Sequence, residues 1–336
     1  MDSLTHVVLG ACISEAMLGR KLGKKAMLLG AVAQSLPDID FIAALWMGPA
    51  QNLLAHRGIT HSILFAIIIT ALSAFLLKRF YRSRDITTSK WAWLIGLNIF
   101  VHIFIDAFNA YGVGWFEPFS QYRVSFNSMF VADPLFSIWP GIAFVALLFL
   151  SAGKKSRIKW ARLGLILPSF YLLMGMINKL IVERDIKKIA AKENISYKRF
   201  FSTPTPFNNL LWYVVMENDS GYNVIYRSVF DSRQELTYNY FPRKDYLLQK
   251  ETNNNDLKYL EKFSQGYYTA EQWNDTLVFN ILRFGQETGW ANPEAHFAFH
   301  YYLNDKADNK YVLQRGRFAG WDWNVARSLI SRIKGN

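Results

Sequence analysis

Apolar residues fill long blocks through the first 182 positions and recur in short alternating stretches after about residue 200. Residues 62–77, SILFAIIITALSAFLL, carry no charge, and neither do residues 135–152, LFSIWPGIAFVALLFLSA. Residues 163–182 contain only Lys179. Residues 91–110 are apolar except for His102 and Asp106, and residues 26–47 are broken midway by Pro37, Asp38 and Asp40. A bilayer core needs about 20 mostly apolar residues per helix, with roughly 17 as the lower limit. So many near-spanning runs in succession predict a polytopic helical membrane domain. Residues 4–18 form a further apolar helix, too short to span alone.

The second pattern predicts strands. LLWYVVME and YNVIYRSVFD read as two strands joined by a hairpin turn at NDSG. TLVFNILRFG, EAHFAFHYYL and KYVLQRGRF are further strand candidates, and NNNDLKYLEKFSQG reads as a helix with a polar start and a glycine stop. The fold class expected is an α-helical polytopic membrane domain followed by a soluble α+β, mostly β, domain. The boundaries expected are 1–182 for the membrane domain, 183–207 for a linker, and 208–336 for the soluble domain.

Charge follows the same division. Residues 1–199 hold 23 Lys and Arg against 11 Asp and Glu, a net of +12, while residues 200–336 hold 15 of each. The excess sits in short clusters between apolar runs, at 20–25, 78–84 and 154–162. That pattern orients a membrane protein and argues against a nucleic-acid groove. The positive-inside rule puts these clusters in the cytoplasm and the sparse loops 48–61 and 109–134 outside. The basic stretch 183–200 conflicts with this parity. Because long domains translocate largely regardless of charge, the C-terminal domain is expected outside. The single cysteine, Cys12, excludes an internal disulfide and a Cys-x-x-Cys metal site. The N-terminus lacks a basic n-region and does not read as a cleaved signal peptide.

Four of the six histidines, His6, His56, His61 and His102, lie in the first 102 residues, beside Asp38, Asp40 and Asp106. Ionisable residues in membrane segments are expensive and usually functional. Taken singly, each has a structural reading: His6 as a helix-start residue, Asp38 as an N-cap, His102 and Asp106 as a helix-tying pair, His56 and Arg57 as interfacial residues. The expected topology, however, delivers all of them to one membrane face. His102 and Asp106 stand at i and i+4 on one side of a helix. Imidazole nitrogen with carboxylate oxygen suits a divalent metal ion, zinc foremost, with manganese or iron as alternatives. Such an ion supplies an activated water at neutral pH. Arg57 could clamp a phosphate or carboxylate. Elsewhere, His296 and His300 are expected about 13 Å apart on a strand, too far for one ion. Glu117, Arg123 and Asp133, in the outer loop 109–134, could line a substrate groove but are expected as solvated loop charges.

The string MDSLTHVVLG…SLPDID…HRGITHS…HIFIDAFNAYG resembles the YdjM-type family, described as membrane-bound, metal-dependent, LexA-binding, inner-membrane-associated hydrolases. The resemblance covers residues 1 to about 180. It implies a metal-dependent hydrolase with His6, Asp38, His56, His61, His102 and Asp106 at the motif positions. The HxxxD element is also similar to that of zinc-dependent phospholipase C, without the further His and Glu ligands of that multi-metal site. The expected function is hydrolysis of an ester or phosphoester at the outer face of the cytoplasmic (inner) membrane. His102, Asp106, His61 and His56 are the first ligands expected, completed by His6 and Asp38. Asp40 is expected as general base or as a partner orienting a histidine. Membrane lipids and a lipid or lipid-linked substrate are the partners expected, with no direct nucleic acid. The competing reading is a non-enzymatic sensor or scaffold with a structural metal. A metal transporter ranks third, because its ligands belong at the bilayer midplane.

Overall fold

A computed structural model describes residues 1–81, 86–251, 254–303 and 320–335. The chain divides into two compact units, one of residues 1–43 with 55–174, the other of residues 44–54 with 175–336. The first unit is helical and the second is built on antiparallel sheets.

The helical unit opens with α1 (Ser3–Leu22) and α2 (Lys24–Ser35). Asp2 caps α1 by accepting from the Thr5 amide at 2.9 Å. Gly23, at φ 59°, turns the chain between the two helices. A Cβ on Gly10 would stand 2.4 Å from the Gly30 carbonyl oxygen, and one on Gly30 would stand 2.0 Å from that of Gly10. The hairpin therefore needs glycine at both crossing positions, the small-residue packing common between membrane helices. After α2, Pro37 opens a 3₁₀ segment, Pro37–Leu45, set at 52° to α2. After α3 (Pro49–Ala55), whose residues 49–54 belong to the second unit, come a 3₁₀ turn (Ile59–His61), α4 (Ile63–Phe80), α5 (Thr88–Asp106) and α6 (Pro134–Phe149). The last helix, α7 (Ser156–Lys192), begins here and ends in the second unit.

Helices α4, α5 and α7 are long and apolar enough to cross a bilayer, and the bent pair of α2 with its 3₁₀ segment makes a fourth if counted as one span. Only 6 % of the α4 span is buried, and residues such as Ile67 and Phe75 face outward. The polar residues His6, His61, His102 and Asp106 are fully enclosed. Apolar outside with polar inside is the arrangement a lipid solvent selects. The helix expected over 4–18 runs longer, to Leu22. Its interior Glu15 is tolerated because Arg157 holds it by two hydrogen bonds, at 2.7 and 2.8 Å.

In the second unit β1 (Arg199–Pro204), β2 (Leu211–Glu217), β3 (Gly221–Ser228) and β4 (Tyr238–Pro242) form one antiparallel sheet in sequence order. A second sheet holds β5 (Tyr268–Trp273), β6 (Thr276–Gln286) and β7 (Phe297–Tyr302). Helices α8 (Asn255–Ser264) and α9 (Trp323–Ile333) complete the unit. Strand β2 is buried along its whole length. Trp212, Val214 and Met216 pack with Val182, Ile186 and Ile189 of α7. On the other face Tyr213 meets Gly285 of β6.

Two expectations are corrected here. Residues 183–207 are not a bare linker: they carry the end of α7 and the whole of β1. The basic stretch is a helix whose apolar positions Val182, Ile186, Ile189 and Ala190 follow the helical period and face the sheet. β7 begins only at Phe297, so His296 lies outside the strand and its ring sits 6.4 Å from that of His300, which is buried rather than on the surface. The strand candidate KYVLQRGRF falls at 310–318, outside the described residues.

Candidate metal centre

Four short pieces of chain bring the site together. Pro37 ends α2, and the 3₁₀ turn after it presents Asp38 and Asp40. The 3₁₀ turn Ile59–His61 presents His61 immediately before Ser62, which caps α4 by accepting from the Phe65 amide. The last turn of α5 presents His102 and Asp106. α1 presents His6 one turn from its start.

Asp38, His61, His102 and Asp106 each turn one ligand atom to a common point, all within 4.8 Å of one another. His102 Nε2 and His61 Nε2 are 3.1 Å apart. Asp38 Oδ1 lies 3.6 Å from His61 Nε2 and 3.5 Å from His102 Nε2. Asp106 Oδ2 lies 3.5 Å from each of the same two nitrogens. A tetrahedron with metal–ligand bonds of about 2.05 Å has edges of about 3.3 Å. The five distances bracket that value. Asp106 Oδ2 is buried with no hydrogen-bond partner, an orphan that an uncharged packing role would not leave. The donor set, two imidazoles and two carboxylates, fits zinc and also suits manganese or iron.

The remaining candidates form a layer behind these four. His6 Nε2 meets the other oxygen of Asp106 at 3.2 Å, its Nδ1 meets Gln34 Oε1 at 3.2 Å, and its ring stacks on His102 at 3.7 Å. The Met1 nitrogen also contacts Asp106 Oδ1. His61 Nδ1 shares a hydrogen bond with the Thr60 hydroxyl at 3.1 Å, and Asp40 Oδ2 lies farther from it, at 3.6 Å; that oxygen is 3.1 Å from His56 Nδ1 and accepts the Arg57 amide at 2.7 Å. A carboxylate behind the distal nitrogen of a ligating histidine fixes its ring and tautomer. Burial disfavours a charged His61, but Asp106 and Asp38 outweigh it and hold the ring above its ordinary value.

The structure therefore brings Asp38, His61, His102 and Asp106 together as a group that could hold a metal ion, and His6 and His56 stand outside that group. His56 faces Asp40 with 38 % of its side chain exposed. The Asp40 side chain is itself buried, its Oδ2 taken up by His56 and the Arg57 amide. Arg57 is likewise not a free clamp. Its two terminal nitrogens donate to Asn109 Oδ1 at 2.8 Å and to the Met1 carbonyl at 3.3 Å, and its Nε stands 3.1 Å from Asp106 Oδ2, out of line for a hydrogen bond. The residue is buried, at φ 59°, which turns its side chain inward. Its charge offsets the carboxylates of the site.

Two residues expected as solvated loop charges are structural. Arg123 donates to the His56 and Arg57 carbonyls at 2.8 and 3.1 Å and so holds the HRG turn. Asp133 caps α6 and accepts from the Tyr171 hydroxyl at 2.7 Å. Glu117 is half-buried against Gly58 and Gly114, and burial raises its carboxyl above the ordinary range. Asn109 and Gln34 were not singled out from sequence. Each is a neutral amide whose role shows only through contacts 52 and 28 residues away.

The family profile described as YdjM inner membrane protein matches residues 1–182. The chain is 31 % identical over 200 residues to the uncharacterized protein YfhP of Bacillus subtilis (strain 168), over 57 % of this chain and 59 % of YfhP. The match thus spans less than two thirds of that relative. It is 28 % identical over 122 residues to the inner membrane protein YbcI of Escherichia coli (strain K12), over 36 % of this chain and 69 % of YbcI. No solved structure matches.

Proposed function

The chain belongs to the YdjM inner membrane protein family, and from that premise we propose that it is a membrane-embedded, metal-dependent hydrolase of an ester or phosphoester at the membrane surface. The observation that carries the proposal is the convergence of Asp38, His61, His102 and Asp106 inside an apolar helical unit, their ligand atoms all within 4.8 Å of one another and the five imidazole-containing distances at 3.1–3.6 Å. These four would hold a divalent ion, zinc foremost. Such an ion supplies Lewis acidity and activates water near neutral pH. The chain's own residues do the rest. The Thr60 hydroxyl meets His61 Nδ1 with the Asp40 carboxylate 3.6 Å from the same nitrogen, and His6 holds Asp106 through Oδ1. Arg57 offsets the negative charge of the two ligand carboxylates. His56, exposed and paired to Asp40, is the group placed to pass a proton to solvent. Asp38 is the ligand with solvent access, 22 % exposed, and marks the side from which substrate arrives. A lipid or lipid-linked molecule would suit a site framed by spanning helices, and the charge pattern supports a position at the outer face.

A second reading has its own support. Four protein ligands complete a tetrahedron, and closed coordination is the habit of structural zinc. The ion would then staple the helices of a non-enzymatic sensor or scaffold. Metal analysis of detergent-purified protein, with a phosphoester panel on wild type and His61→Ala, separates the two. Turnover that His61→Ala abolishes together with metal supports the hydrolase. Stoichiometric metal without turnover supports the staple, and absence of metal from wild type sinks both.

A further inference from the structure

The end of the helical unit opposite the metal ligands holds a second polar site. A cavity of about 650 Å³ opens between the end of α1, the α6–α7 loop and the start of α7. Its wall includes Arg20, Lys154, Lys155 and Arg162, with Arg157 and Glu15 beneath. Arg157 is saturated: Nε and one terminal nitrogen hold both oxygens of Glu15, that terminal nitrogen also donates to the Met27 sulfur at 3.2 Å, and the other terminal nitrogen holds the Leu147 and Leu150 carbonyls. Glu15, the one acid of the wall among the described residues, is thereby neutralised. Arg20, Lys154, Lys155 and Arg162 are left as exposed cations around the opening.

Alongside lies an apolar groove of about 460 Å³ between α1, α5, α6 and α7. It adjoins the basic cavity at Ala16 and Met17, which line both. Its other walls include Ile13, Leu165, Leu97, Leu9 and Ile105. Charge and hydrocarbon side by side match a single kind of molecule. We propose that this surface binds an anionic phospholipid, its phosphate in the basic cavity and an acyl chain in the groove. Basic pockets between spanning helices are suited to such headgroups. The phosphate sits at the opposite end of the helices from the metal ligands, so this lipid is a resident of the fold and not the substrate. The site is independent of whether the metal centre hydrolyses anything.

The test uses full-length protein in mixed micelles holding equal phosphatidylglycerol and phosphatidylcholine, with retained lipid read by native mass spectrometry. Wild type should retain phosphatidylglycerol over phosphatidylcholine by at least about tenfold, since several basic residues act together. Replacing Arg20, Lys154, Lys155 and Arg162 with alanine should erase the preference. Lys154→Arg with Lys155→Arg should keep it, which guards against a fold lost through mutation. Ala16→Trp, at the junction, should lower retention without any change of charge. Equal retention of both lipids by wild type overturns the proposal, as does an undiminished preference in the four-alanine variant. Displacement of the lipid by millimolar inorganic phosphate would assign the cavity to a free anion and overturn it too.

Discussion

Glu15 and Arg157 close on each other with two hydrogen bonds, while Asp38, His61, His102 and Asp106 turn their ligand atoms onto one point. Both clusters lie within the same helical unit, all of their residues buried except Asp38. In the first, every polar hydrogen of the guanidinium has an acceptor. In the second, Asp106 Oδ2 and His102 Nδ1 are buried without hydrogen-bond partners, and two imidazole Nε2 atoms face each other at 3.1 Å. The contrast separates two reasons for polar residues inside a membrane protein. A satisfied pair joins helices, whereas a set of acceptors aimed at one point is arranged for something that is not part of the chain.

Mutations should divide along the same line. The largest effect expected is on metal content: His102→Ala should remove the ion from the purified protein while leaving its helical circular dichroism intact. Unchanged metal stoichiometry would break the assignment. Next, Arg157→Leu should destabilise the helical unit by about 3–5 kcal/mol, because Glu15 is left as an uncompensated buried charge. Adding Glu15→Leu should restore most of the loss, and the midpoint of unfolding in detergent reads both. Metal content should not move in either variant. Smaller again, Asp40→Asn should weaken metal affinity by about 10–100-fold without abolishing it, as expected of a group that orients a ligand. Competition with a chelator measures that.

The smallest effect tests neither cluster and supplies the baseline in the second unit. Burial raises the Glu287 carboxyl from its ordinary value to about 7. Between the unfolded value, 4.5, and about 7, the folded state binds the extra proton. This stabilising contribution is present at low pH and is lost as pH rises through that window. Glu287→Gln should flatten this part of the pH–stability curve, and the two polar clusters of the helical unit should be indifferent to the change.

Much of this was legible in the chain. The apolar runs located α4, α5 and α7, and the i, i+4 spacing of His102 and Asp106 placed two ligands on one helix turn. Parity of the runs put the PDID and HRGITH segments at the same level. What the pattern did not contain was the layering of the site. His56 and His61 share one short segment, yet only His61 turns inward, because the chain bends at Arg57 with φ 59° and then enters a 3₁₀ turn. His6 reads like a ligand, but its ring nitrogen reaches the far oxygen of Asp106. The pairing of Glu15 with Arg157, 142 residues apart, has no local signature at all. The amphipathic end of α7 was hidden by its charge, which masked a helical period of apolar positions.

The Pro37 break has a consequence for how the apoprotein behaves. His102 and Asp106 arrive on one finished helix turn, but Asp38 and His61 sit on separate 3₁₀ turns with a 23-residue interval between them. An ion held by both closes that interval as a cross-link would, and a loop of this length loses about 3 kcal/mol of chain entropy when closed. A bound metal would then be a reversible clasp on the segment from the proline to the HRG turn. Chelation should loosen that segment first, which amide exchange would register there before the spanning helices respond.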